Sequence, residues 1–145
     1  MISRFATSWR LVFVFACLAA LCAGNAQAQD PRATAAQSAA RSWLALADAG
    51  DVQGSLKAGG KKFQEALDAE SWDEALKKVR APLGKATNRA ILATKFQDTM
   101  PGGPDGEYAL ILFETNFSEG GVGHETVTLE REPDGAWRVI GYFIR

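Results

Sequence analysis

His124 is the one histidine among 145 residues, and with its neighbour Glu125 and the two tyrosines, Tyr108 and Tyr142, it makes up the set of side chains best suited to proton transfer. A carboxylate enclosed by apolar surroundings has its pKa raised and can shuttle protons. Glu125 beside a tyrosine, at the polar end of a cavity, would therefore suit an isomerase- or cyclase-type reaction, with His124 as the alternative base. The competing reading is structural. Both tyrosines then belong to the core with their hydroxyls at its edge, and Glu125 pairs across strands with Arg89, Arg131 or Arg138. His124 and Glu125 are neighbours on one extended run, so they point to opposite faces and would not act as a pair.

Other chemistries find less support. A single histidine excludes a multi-histidine metal centre, and a serine triad would lack the Gly-x-Ser-x-Gly elbow. Gly102-Gly103 and Gly120-Gly121-Val122-Gly123 have neither the lysine nor the following helix of a phosphate loop, so they are turn devices. Asn116-Phe117-Ser118 is a formal glycosylation sequon, incidental in a bacterial-looking chain. No cofactor and no metal are implied, and no constellation of reactive groups defines a reaction. A binding role, for a small apolar ligand or a partner protein of the cell envelope, is favoured over catalysis.

The elements that must position these residues form two halves. Three runs at the end, Glu107–Phe117, Val122–Glu132 and Ala136–Arg145, are rich in β-branched and aromatic residues and separated by turn residues, as strands of a meander should be. Pro133-Asp134-Gly135 has the chemistry of a tight hairpin. Alternation over Lys85–Gln97 predicts an earlier strand with Ala86, Ala90, Leu92 and Phe96 on one side and Thr87, Arg89, Lys95 and Gln97 on the other, followed by a long loop through Pro101-Gly-Gly-Pro104. Ahead of the strands come helices. Ala36, Ala40, Trp43, Leu44 and Ala47 recur at helical spacing, Gly50 stands where a left-handed cap is expected, and Asp51 can cap a short second helix that Gly59-Gly60 ends. Phe63 and Leu67 fit a separate helical piece with Lys61 and Lys62 in solvent. Asp68 is a candidate cap for a further helix with Trp72, Leu76 and Val79 on one face, stopped by Pro82. Trp43, Trp72 and Trp137 fit core positions. The predicted fold is therefore α+β, with about three N-terminal helices packed on a curved four-stranded antiparallel meander, cone-like in outline. The last strand is apolar on both faces, which favours a homodimer joined through the sheet.

Composition sets the surroundings. Arg4 and Arg10 precede an apolar run from Leu11 to Leu21 and then Ala26-Gln27-Ala28, the pattern of a secretory signal cleaved after Ala28. The run is about half of the roughly 20 residues a membrane helix needs, so no permanent span is expected. Residues 29–145 then form a single domain, periplasmic or secreted. Both cysteines, Cys17 and Cys22, fall in the signal, and their neighbours match a lipidation motif poorly. Without the signal's two arginines, 14 basic residues face 17 acidic ones, a net charge of −3 that argues against a nucleic-acid partner.

Trp43-Leu-Ala-Leu with Asp48-Ala-Gly-Asp51, Trp72 ahead of Val79-Arg-Ala-Pro-Leu-Gly84, Gly106-Glu-Tyr108, Phe113-Glu-Thr-Asn-Phe117, Glu125-Thr-Val-Thr128 and Trp137-Arg-Val-Ile-Gly-Tyr-Phe-Ile-Arg145 resemble, in this order and spacing, the domain of unknown function 4019 family. That resemblance covers nearly the whole of residues 29–145. It implies a small exported protein of Gram-negative bacteria and carries no catalytic residue over. The succession of helices and meander is also similar to the nuclear-transport-factor-like and cystatin-like cones, which host isomerases, cyclases and plain binding modules alike.

Overall fold

Asp30 and Pro31 start the first helix in the way free helical N–H groups demand: Asp30 Oδ1 accepts from Arg32 N at 2.9 Å, and Pro31 has no N–H to leave unpaired. The computed structural model describes residues 30–145, so the expected signal, with Cys17 and Cys22, lies outside the described residues. Helix α1 runs Pro31–Asp48 and buries Ala36, Ala40, Trp43, Leu44 and Ala47 as its spacing predicts. It ends in a Schellman motif: Gly50 takes φ 68°, Gly50 N donates to Ala47 O at 3.1 Å and Asp51 N to Leu46 O at 3.0 Å. Three short helices follow, α2 (Val52–Ala58), α3 (Lys61–Ala66) and α4 (Ala69–Ala75), with Asp51 and Asp68 capping α2 and α4 at 2.8 Å each. The piece around Phe63 is thus a helix of its own, making four.

Helix α4 does not stop at a simple boundary. It widens into a π-helical turn over Leu76–Arg80 and tightens into a 3-10 turn over Ala81–Leu83, where Pro82 sits, before Gly84 at φ 77° releases the chain. A π turn closes i to i+5 and needs more residues per revolution than an α turn. Arg80, four residues beyond Leu76, is therefore carried to the buried face at 5 % exposure, while Val79 turns outward at 52 %. The expectation that Val79 shares a face with Trp72 and Leu76 is corrected accordingly.

The sheet has the order β1-β2-β3-β4, all antiparallel, from Ala86–Gln97, Tyr108–Phe117, Gly121–Arg131 and Trp137–Ile144. The α+β class, with helices first and a four-stranded meander last, is as the sequence predicts. The helices cover the face formed by Ile111, Phe113, Val127, Leu129 and Val139, and Trp43, Phe63 and Trp72 pack mutually at centroid distances of 5.2 to 5.7 Å in the core between. Trp137 is also buried. The β3–β4 hairpin closes through Gly135 N to Glu132 O at 2.8 Å, with Gly135 at φ 84°.

Strand β1 departs from the simple alternation. Register shifts between Ala86 and Asn88 and between Ile91 and Ala93 insert an extra residue twice, and each reverses which side chains face inward. Between them Arg89 and Ile91 face in, whereas Ala90 is exposed and Leu92 is 51 % exposed. One sheet edge is this bulged strand. The other, β4, carries a further shift opposite Thr128 and is met by the α2–α3 junction, where Gly60 N donates to Val139 O at 2.7 Å.

Candidate functional site

Glu125 lies on β3 with its side chain on the helix-covered face, 0 % exposed. Its register partner on β2 is Phe113, and Thr115 stands two residues further along the same face; Arg89 is paired with Thr115, and Tyr142 lies across β4. Three strands thus aim donors at one carboxylate. Arg89 Nε reaches Oε2 at 2.7 Å and Arg89 Nη2 reaches Oε1 at 3.2 Å, the Thr115 hydroxyl donates to Oε2, and the Tyr142 hydroxyl donates to Oε1. A carboxylate has about four lone-pair directions, and all are taken.

The network continues to the helices. Arg89 Nη1 and Nη2 hold Asp48 at the end of α1 at 2.8 and 3.0 Å, and Asp48 Oδ1 also accepts from Arg80 Nε at 3.1 Å and Nη2 at 2.9 Å. Arg80 Nη1 donates to Gly84 O at 2.5 Å, and its guanidinium lies 4.7 Å from the Phe117 ring centroid. Two guanidinium groups and two carboxylates cancel in charge, which is how a protein tolerates ions out of water. Burial pushes the Asp48 carboxyl up, but the hydrogen bonds and charge of Arg89 and Arg80 prevail and hold its pKa below the usual value. Burial likewise works against the Arg89 charge, and the bonds to Asp48 and Glu125 overcome it, so its pKa is raised. Tyr142 is pushed up, by burial first and then by the charge of Glu125.

Of the four candidates, the structure brings together Glu125 and Tyr142. His124 faces the opposite side of the sheet, where Nε2 is 3.8 Å from Glu114 Oε2. Tyr108 sits at the far end of β2, donating to Pro104 O at 2.8 Å and accepting from Lys62 Nζ at 3.0 Å. Lys62 also pairs with Glu130 at 2.7 Å, so it is not the solvated partner of Lys61 that the sequence suggests. Among the three arginines offered as partners of Glu125, Arg89 takes that role; Arg131 pairs with Glu107 at 3.1 Å, and Arg138 with Glu132 and Asp134, at 2.7 Å each. Sequence reasoning missed Asp48, Arg80 and Thr115. It also missed Ser55, fully buried, whose carbonyl accepts from Trp43 Nε1 and whose hydroxyl accepts from Trp72 Nε1, at 2.8 Å each. A serine at i+4 from the Asp51 cap was the available signal.

Two clefts flank the π turn. One, of about 450 Å³, lies between the end of α1, the π turn and the β2–β3 connection, with Asp48 and Arg80 at its base and Lys77, Lys85 and Ser118 around it. The other is a groove of about 240 Å³ between α4, the π turn and β4, lined by Trp72, Leu76, Val79, Tyr142, Phe143 and Ile144. Arg80 borders both. Apart from Arg80, the residues that line the groove are apolar or aromatic. Among the described residues, no group of three or more His, Cys, Asp or Glu side chains is placed to hold a metal ion, and no helix is long and apolar enough to cross a membrane.

A family model described as "Protein of unknown function (DUF4019)" matches residues 39–142. Among solved structures, Aln2 from a Streptomyces species is similar with a TM-score of 0.48 and 12 % identity, over 81 % of this chain and 92 % of that one. No curated protein matches the chain.

Proposed function

The chain belongs to the DUF4019 family of proteins of unknown function, and from that premise we propose that it is an exported, periplasmic binding module that holds a small apolar ligand in the groove between α4, the π turn and β4. The observation that carries this reading is the groove itself: a volume of about 240 Å³ with Val79, a large hydrophobic side chain left 52 % exposed, on one side and Ile144 of β4 on the other. The acid/base alternative is less well supported, because the four donors on Glu125 leave no lone pair with which to take a substrate proton. Export rests on the Arg4–Ala28 pattern, with cleavage after Ala28 leaving a single domain.

Trp72 lines the groove, so its fluorescence reports occupancy. The full chain, expressed and purified after processing, should bind octanol saturably with a change in tryptophan emission, and Val79→Asp should weaken binding at least about tenfold, as a charge at an apolar contact requires. Absence of saturable binding, or binding indifferent to Val79→Asp, would refute the reading. Cell fractionation with N-terminal sequencing tests the export half.

A second reading, a structural envelope protein acting as a homodimer through the outer sheet face, is supported by Val122 and Phe143, 61 % exposed each on that face, and by Leu92 at 51 % in the β1 bulge. Light scattering that returned a strict monomer would dispose of it.

A further inference from the structure

We infer that the occupant of the groove is an anionic amphiphile, a medium-chain carboxylate whose head is received by Arg80 and whose hydrocarbon lies against Val79 and Ile144. This rests on the groove reading above and adds to it the charge and shape of the ligand.

A guanidinium has five N–H donors. Arg80 uses three: Nε and one N–H of Nη2 on Asp48, and one N–H of Nη1 on Gly84 O. Each terminal nitrogen therefore keeps one N–H unengaged, on a side chain only 6 % exposed. Two such donors on one planar group suit the two oxygens of a carboxylate. Phe117 packs on the guanidinium face, so it is the edge that remains for a ligand. The position is equally particular. Arg80 borders both the apolar groove and the polar cleft beside it, so a chain lying in the groove would bring its end group to the guanidinium.

The charges around the polar cleft balance: Asp48 is engaged by two arginines and Asp73 by Lys77 at 2.6 Å, while Lys85 and Glu119, both lining it, have no ion-pair partner among the described residues, so Arg80 alone selects a negative head. The groove is smaller than the roughly 300–1,000 Å³ of sites for drug-sized ligands, which restricts the tail to a short one.

The test compares ligands of one chain length on the unmodified protein by titration calorimetry: octanoate, octanol and octylammonium, at neutral pH and below micellar concentrations. Octanoate should bind about tenfold to a hundredfold more tightly than octanol, the difference a charge-assisted pair of hydrogen bonds makes, and octylammonium should bind weakest. In Arg80→Met, octanoate should fall to the octanol level. If Arg80→Met does not fold, Lys77→Gln and Lys85→Gln serve instead, and both should keep the octanoate preference. Equal binding of octanoate and octanol, or a preference that a folded Arg80→Met retains or that Lys85→Gln abolishes, overturns the inference and leaves the groove reading standing. No binding of any of the three overturns both.

Discussion

Replacing Arg89 by methionine tests the network at its centre. The methionine keeps much of the side chain's apolar length but removes the three nitrogens that hold Glu125 and Asp48. Asp48 retains Arg80, so its loss is partial. Glu125 retains only the hydroxyls of Thr115 and Tyr142 and becomes a fully buried carboxylate with no cation beside it. Breaking a buried pair by deleting one partner costs about 3–5 kcal/mol, against about 0–1 kcal/mol for a surface pair. At roughly 4 °C per kcal/mol for a domain of this size, the melting temperature should fall by about 12–20 °C. The assay is urea unfolding followed by tryptophan emission, run also on Glu125→Leu and on the double variant. The double variant should lose less than the two single losses added, by about 1–3 kcal/mol, because the second change removes the orphaned charge left by the first. A single-variant loss under about 1 kcal/mol, or strict additivity, would refute the claim that Arg89 and Glu125 form a buried ion pair that ties β1 to β3.

Ser55→Ala should cost about 1–3 kcal/mol in the same assay, since it strips the Trp72 indole N–H of its acceptor in the core while leaving the Trp43 bond to the backbone intact. Gly84→Ala should destabilise well beyond Gly50→Ala. Both glycines have positive φ, which alone costs about 1–2 kcal/mol; an added Cβ at Gly50 meets nothing within 4 Å, whereas at Gly84 it would collide with Ser118 Oγ and stand 3.1 Å from Glu119 N. Because the Asp48 pKa is lowered on folding, its contribution to stability is complete above the ordinary carboxylate value of about 3.9 and is lost as pH falls through the folded value. Thermal melts from about pH 6 downward should show a steeper decline for the natural chain than for Asp48→Asn; parallel curves would contradict this. The raised Tyr142 pKa has the opposite sign: its stabilising effect is present below about 10 and diminishes as pH rises further. Its phenolate absorbance should therefore appear only together with unfolding, and early ionisation in the folded chain would count against the assignment.

What could be read in advance was whatever is periodic or local. The face of α1, the caps at Asp51 and Asp68, the hairpin at Gly135 and the strands of the meander each depend on residues within a few positions of one another. That Glu125 would meet Arg89 or Tyr142 was open to inference from strand alternation, although the sequence offered Arg131 and Arg138 on equal terms. Asp48 and Arg80 were not legible, for a definite reason. Arg80 faces inward because one turn winds as a π helix, and Arg89 lies between two register shifts that each invert the alternation. Both are one-residue displacements stabilised by contacts distant in sequence, and a pattern read at fixed period places such residues on the wrong side. Val79 and Leu92 were misplaced by these two features respectively.

The interruptions in the outer strands have one further consequence. An open sheet of four strands ends in two rows of main-chain groups, a template onto which a neighbouring molecule can zip its own strand. Here the β1 row is broken twice and carries Lys95, and the β4 row is interrupted opposite Thr128, where Gly60 already occupies the Val139 carbonyl. Neither border offers a long flat stretch for polymerisation, so a chain that leaves Phe143 and Leu92 in water is guarded against fibre growth along its borders while its broad face stays free to meet another surface.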